Sequence, residues 1–383
     1  MPISSTVLKR MARELSGINI EDHEADEPLR ILVNSLNAES HLSATGTTAM
    51  EHRLLRILVN RLRMERDFVA HPEIAEEKII APIFVFGLPR SGTTKMQKLL
   101  SVTGDFQALP LWMAHNPSLI SGDRSESTEA RISDTRNYVE WIDRTNPGIR
   151  AVHAFDVDEP EETNPIMEQG FLSAYLPAFV EVPSYMQWYV GQDSRQQFHY
   201  IKRVIQYLQW QFADGNVKSW VLKNPTFLGS EPIIREVFPD ARMIVTHRHP
   251  DAVIASSASL IVNFHKLYSD IDVSSNAGVM MTEGQAWLAQ QHIHNRQRDP
   301  RLNIIDVGYP ELIDDSTRVL ERIYADIGLP FTSAASKKVI QWEQGHRQHK
   351  FGSHRYGLAD FGVGKQLIAE KFATYIAHYS QYF

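Results

Sequence analysis

The feature that most constrains this chain is a short apolar run, Ile83-Phe84-Val85-Phe86. It ends in Gly87-Leu88-Pro89-Arg90-Ser91-Gly92-Thr93-Thr94. The run is too brief for a helix, and its flanks cut it off sharply. That predicts a strand buried on both faces in a parallel sheet. Glycine, proline and hydroxyl residues follow, which predicts a tight turn into a helix from about Thr93 to Val102. Such a strand–turn–helix unit gathers backbone N–H groups and the positive end of a helix dipole around one point. The hydroxyls of Ser91, Thr93 and Thr94 add donors, and Arg90 adds a permanent planar cation. The unit therefore predicts an anion site. Its Gly87-to-Gly92 spacing resembles a Walker loop, G-x4-G-K-[ST], but Thr93 stands in place of the lysine. A kinase or ATPase needs that lysine to reach the β- and γ-phosphates. A charge placed earlier, at Arg90, suits a 5′ anionic group with no triphosphate chain.

Strand and helix signals alternate along the rest of the chain. Residues 1 to about 75 read as helical, with Leu54, Leu55, Leu58, Val59 and Leu62 at helical spacing. Trp220 to Leu222, Ala241 to Thr246 and Leu302 to Val307 are further strand candidates. Helices are predicted from Pro250, a residue favoured at a first helical position, and from about Pro310 to Ile327. This order predicts an α/β fold, a P-loop-like central parallel sheet flanked by helices. A helical arm (1–78) and a helical insertion (about 120–215) complete a single domain spanning 1–383.

Bulk properties narrow the function classes. The net charge of −7 argues against a nucleic-acid partner, so an anion site must be a local cluster in an acidic background. The chain has no cysteine, which excludes disulfides, thiolate metal sites and a Cys nucleophile. The first residues lack the apolar centre of a signal peptide, and no long uninterrupted apolar stretch predicts a transmembrane segment; a cytoplasmic protein is expected. His292-Ile293-His294 does not predict a metal site, because residues two apart on a helix face different ways.

A second constellation is Thr246-His247-Arg248-His249-Pro250, continuing to Ser256. Arg248 closes a predicted strand and Ser256 falls in the second turn of the next helix. Ligands of open α/β sheets sit outside the carboxyl ends of the strands, so Arg248 and Ser256 are candidates for a second phosphate in the same crevice.

With both motifs in place, the chain resembles the bacterial branch of the sulfotransferases that use 3′-phosphoadenosine 5′-phosphosulfate (PAPS). Pro89 to Thr94 matches the family's 5′-phosphosulfate loop. Phe238-Pro239-Asp240-Ala241, Arg248-His249-Pro250 and Ser256 match its 3′-phosphate motif. Supporting similarity lies in Asp158 to Glu162, Trp220 to Lys223, Tyr309 to Leu312 and His354 to Gly362. The resemblance implies PAPS as donor and adenosine 3′,5′-bisphosphate as product. Arg90, Ser91, Gly92, Thr93, Thr94, Arg248 and Ser256 would bind the nucleotide, and Arg90 and Lys223 would be the cations around the transferred group.

The resemblance also calls for a base. Relatives often show Lys-Ser-Pro-x-His in the segment that here reads Lys223-Asn224-Pro225-Thr226-Phe227, so Phe227 stands where that histidine would be. The candidates then lie between His153 and Glu162, in an acidic stretch expected to open a helix after Pro160. Glu162 matches the carboxylate typical of this motif; Glu161 and His153 remain open. The basic stretch His346 to Tyr356 is expected either to fold over the nucleotide or to be a solvated charge run. Phe171, Tyr175, Phe179, Tyr185, Trp188 and Tyr189 suit an apolar acceptor pocket or, equally, a packed core. The resemblance implies a small molecule or lipid acceptor bearing a hydroxyl or amine. Two other classes fit the phosphate loop: a nucleotide-dependent kinase, and a nucleotide-binding protein without turnover.

Overall fold

The computed structural model describes residues 2–212, 217–346 and 357–383. Its centre is a four-stranded parallel sheet: β1 (Ile83–Gly87), β2 (Val221–Lys223), β3 (Arg242–His247) and β4 (Ile304–Gly308), in the order β2-β1-β3-β4. Alternation divides the sheet's side chains between two cores. Phe84, Phe86, Leu222, Met243 and Val245 face one layer of helices. Ile83, Val85, Val221, Ile244, Ile305 and Val307 face the other. Both faces are covered, which is why the strands read as unbroken apolar runs. β1 pairs with β2 on one side and β3 on the other, so the chain reverses its winding at β1. The carboxyl ends of β1 and β3 therefore open a crevice at a topological switch point.

Three helices precede the sheet: α1 (Ser5–Ser16), α2 (His23–Glu39) and α3 (Ala44–Ala70). Their apolar faces do not form a separate core. Leu29, Leu32, Leu54 and Ile57 share one cluster with Phe179, Tyr185, Phe264 and Tyr268. The arm is thus packed into the insertion, and the insertion into the helix Pro250–His265. A buried ion pair pins this junction, Arg53 Nε to Glu168 Oε1 at 2.5 Å, with the guanidinium 4.2 Å above the Phe179 ring.

Two predicted helices differ in detail. The span from Pro310 to Ile327 is two helices, Tyr309–Asp314 and Ser316–Asp326. Asp315 leaves helical geometry and its carboxylate caps the second by accepting from the Arg318 N–H, the usual competition of a short acidic side chain with the helix. The acidic stretch after Pro160 does not open a helix, which begins only at Asn164. Among the described residues no helix is long and apolar enough to cross a membrane.

Candidate functional site

The turn after β1 folds as it does because three of its positions are constrained. Gly87 has φ of +151°, and a Cβ there would lie 2.3 Å from the Thr246 carbonyl oxygen of β3. Arg90 adopts a left-handed φ of +69°, and Gly92 caps the next helix, α4 (Thr93–Thr103), with φ of +104°. A glycine cap has no side chain, so the first amides of α4 face outward with no capping oxygen. That end of α4 is where the sequence predicts an anion.

Ser91 departs from expectation. Its hydroxyl donates to the Leu88 carbonyl at 2.6 Å and lies 2.7 Å from the Thr246 hydroxyl, with the residue fully buried. It staples the turn to β3 instead of facing the crevice. Thr93 and Thr94, one turn on, do line the crevice.

The two sequence motifs interlock. Arg90 Nε donates to Ser256 Oγ on the helix Pro250–His265 at 3.0 Å, and Arg248 Nη1 donates back to the Arg90 carbonyl at 3.0 Å. The Arg248 guanidinium lies 4.0 Å above the ring of Tyr309, the first residue after β4. Among the described residues Arg248 has no carboxylate partner. It stands at a crevice edge built from three strand ends, held by a carbonyl and a ring. In sequence Tyr309 carries only supporting similarity, although its place just past a strand end is a usable signal.

Lys223 ends β2 fully buried. Its ammonium donates to Glu162 Oε1 at 2.6 Å and to Thr94 Oγ1 at 3.2 Å. Glu162 is delivered by an extended segment tied down from three sides. The Glu161 N–H donates to the Leu109 carbonyl, the Thr163 N–H donates to the Lys223 carbonyl, and Gln97 of α4 donates to the Glu161 carbonyl. Asn164 donates to the second oxygen of Glu162. Lys223 thus bridges the phosphate loop and a carboxylate.

The neighbouring Glu161 has a different setting. Burial pushes its carboxyl up, but His153, 3.4 Å away, with Lys223 and the Glu162 N–H, outweighs that and holds it down at about 2. Phe227 does not face the crevice. Its ring is buried against Phe84 and Phe198, so this position is part of the core.

A single cleft of ≈ 1950 Å³ joins these groups to the insertion. Beyond Glu162 its walls turn apolar, with Val182, Met186, Leu260 and Met281 among them, while Lys223 lies buried just behind the wall between Glu162 and Thr94. The aromatic stretch divides between the two uses anticipated for it. Tyr175 and Tyr189 line the cleft, whereas Phe171, Phe179 and Tyr185 are buried in the core. His292 bonds through Nδ1 to Glu231 at 2.6 Å, both fully buried. Among the described residues no group of His, Cys, Asp or Glu is disposed to hold a metal ion. The basic stretch expected near the nucleotide lies, from Arg347 to Tyr356, outside the described residues.

Comparison with known proteins places the chain in a family and a fold. Residues 82–333 match the model of the sulfotransferase family. The chain is 25% identical over 337 residues to the omega-hydroxy-beta-dihydromenaquinone-9 sulfotransferase of Mycobacterium bovis, covering 85% of this chain and 83% of that one. The Mycobacterium tuberculosis protein of that name matches to the same extent. A sulfotransferase from Mycobacterium avium superposes with a TM-score of 0.84 at 23% identity, over 98% of this chain and 96% of the other. A sulfotransferase from M. tuberculosis gives 0.81 at 26%, over 97% and 99%.

Proposed function

The chain belongs to the sulfotransferase family, and from that premise we propose that it moves a sulfuryl group from PAPS to the hydroxyl of an apolar, lipid-sized acceptor. The observation that carries this reading is Lys223, buried between Thr94 of the phosphate loop and Glu162 at the mouth of the apolar cleft. One cation there touches both the donor side and the acceptor side.

The donor supplies a sulfuryl group and a good leaving group. What the chain adds is position and charge. The amides at the start of α4, with Gly92, Thr93 and Thr94, suit the 5′-phosphosulfate; Ser91 contributes by shaping the turn. Arg248 suits the 3′-phosphate. Arg90 and Ser256, bonded to each other, connect the two anion sites. Lys223 offsets the charge that builds on the leaving oxygen. Glu162 takes the acceptor's proton as the new O–S bond forms and the bond to the leaving phosphate oxygen breaks. Glu161 is buried, and His153 with Lys223 outweighs that burial and lowers its carboxyl, so we give the proton to Glu162, which lines the cleft. We assign Glu161 to orienting His153 and Glu162, and treat the whole chain, arm included, as one catalytic domain.

The apolar walls of the cleft favour a lipid-like acceptor, and the mycobacterial relative is named for a menaquinone-derived one. An amine nucleophile would meet the same carboxylate.

The test is calorimetric binding of adenosine 3′,5′-bisphosphate, with AMP and ATP as comparators, with and without magnesium. Magnesium-independent preference for the bisphosphate is expected, followed by turnover of an apolar alcohol. Preference for ATP with magnesium would overturn the donor assignment and restore the kinase reading. Bisphosphate binding without turnover on any alcohol or amine would favour a silent nucleotide-binding protein.

A further inference from the structure

Directly behind Arg248 is a polar group in an aromatic setting that the reaction does not explain. His247, the last residue of β3, is fully buried. Both of its ring nitrogens are engaged: Nε2 with Asp306 Oδ1 of β4 at 2.9 Å, and Nδ1 with the Tyr375 hydroxyl at 2.8 Å. Arg296 donates to the same Asp306 oxygen at 2.6 Å. The imidazole stacks on Tyr379 at 4.1 Å and lies beside Tyr382 at 5.0 Å. These tyrosines belong to the last helix, Ala373–Tyr379, and the turn that follows it. The turn also reaches the end of β4, where a Cβ on Gly308 would lie 2.8 Å from the Tyr382 carbonyl oxygen.

An apolar residue would fill this space at lower cost, since buried polar groups gain little net stability. What the network provides is direction. A fully satisfied polar cluster fixes one arrangement where packing alone permits several. His247 pairs with Gly308 across the β3–β4 register, and the next residues on the two strands are Arg248 and Tyr309. Successive side chains point to opposite sides of an extended backbone. Holding His247 down into the helix layer therefore turns Arg248 up into the crevice, over Tyr309.

We infer that His247, clamped by Asp306 and Tyr375, is a positioning residue that aims Arg248 at the 3′-phosphate and so sets the preference for a 3′-phosphorylated nucleotide. The inference rests on the donor reading above. It is tested by calorimetry of adenosine 3′,5′-bisphosphate and AMP on the full chain and three variants. His247→Phe keeps the stacking and loses both hydrogen bonds. Its bisphosphate Kd is expected to rise ~10-fold, the loss of about one hydrogen bond to a charged group, with AMP changed less than about twofold. His247→Gln, whose amide nitrogen reaches Asp306, is expected to recover most of the preference. Tyr375→Phe removes one hydroxyl, leaves the packing, and gives a loss of roughly threefold that is readable even if His247→Phe does not fold. Equal losses for both nucleotides would mark the network as merely structural and overturn the inference. So would a preference unchanged in every variant. A wild-type protein with no preference for the bisphosphate would instead remove the donor reading, and this inference with it.

Discussion

The two ends of the cleft are built on different principles. The end proposed to take the nucleotide hangs on the ends of β1, β3 and β4, and its groups are cross-braced. Arg90 reaches Ser256, Arg248 reaches back to Arg90, and Ser91 is stapled to Thr246. The end proposed to take the acceptor is walled by separate helices of the insertion and by the pair Pro250–His265 and Ser274–Arg298, and it is lined mostly by apolar side chains. A nucleotide is recognised by charges at fixed separations, which a contiguous loop on a rigid sheet provides. An apolar acceptor is recognised by shape, which any set of packed helices can provide. Lys223 and Glu162 stand where the two ends meet.

If that division holds, changes at the meeting point affect turnover and leave nucleotide binding alone. Glu162→Gln keeps the shape and removes the proton acceptor. Its kcat is expected to fall by about 10²–10⁴ while the bisphosphate Kd stays within about threefold. A matching fall in nucleotide affinity would show that Glu162 belongs to the nucleotide end. Arg248→Ala comes next in size. The bisphosphate Kd is expected to rise roughly 10- to 100-fold with AMP little changed, as for loss of a charge-assisted pair. Equal losses for the two nucleotides would remove the 3′-phosphate assignment.

The same division decides what was legible in the sequence. β1 and its turn are consecutive residues whose types admit few conformations, so Ile83 to Thr94 could be read as strand, turn and helix cap. The bracing was not legible. The direction of Arg90 depends on its left-handed φ, and Ser91 turns inward because a Thr246 hydroxyl waits across the sheet. Phe227 illustrates the limit from the other side. In sequence it reads as a base that has been lost; in the fold it is a ring packed on Phe84 and Phe198. The acceptor walls were least legible, because Tyr175 in the cleft and Phe179 in the core are the same kind of residue at helical spacing. The helix break at Asp315 is not legible because apolar spacing continues through it.

Acid acts on the buried groups by the sign of their charge and not by the end they occupy. At the acceptor end burial pushes His265 down to about 4. It folds neutral, so its contribution is complete above the ordinary value of about 6.5 and is lost as pH falls through about 4. Glu161, where the two ends meet, and Asp306, behind Arg248, are both lowered to about 2, so their contributions persist until pH falls from the ordinary carboxylate range towards 2. His115 and His247 are lowered as well, with burial the leading cause, and act with the sign of His265. A variant comparison is therefore required. Between pH 7 and pH 5 wild type is expected to lose about 2 kcal/mol more than His265→Gln in urea unfolding. Equal losses would mean that His265 is not held neutral by the fold.

The smallest effect is the most direct probe of the acceptor end. Trp287 lines the cleft yet is 59% exposed, and Met280, two turns earlier on the same helix, is 43% exposed. Large apolar groups left in water at a cleft mouth are covered when an apolar ligand extends past them. Trp287→Ala is a surface change, so stability is expected to stay within about 0.5 kcal/mol. Nucleotide affinity should not move. The KM for a long-chain alcohol is expected to rise several-fold, about 1 kcal/mol of lost apolar burial, while that for a short alcohol stays the same. Equal changes for long and short alcohols would mean that the acceptor ends before the rim. The apolar walls near Glu162 and Lys223 would then set specificity alone, and the acceptor would be a compact molecule with no long chain.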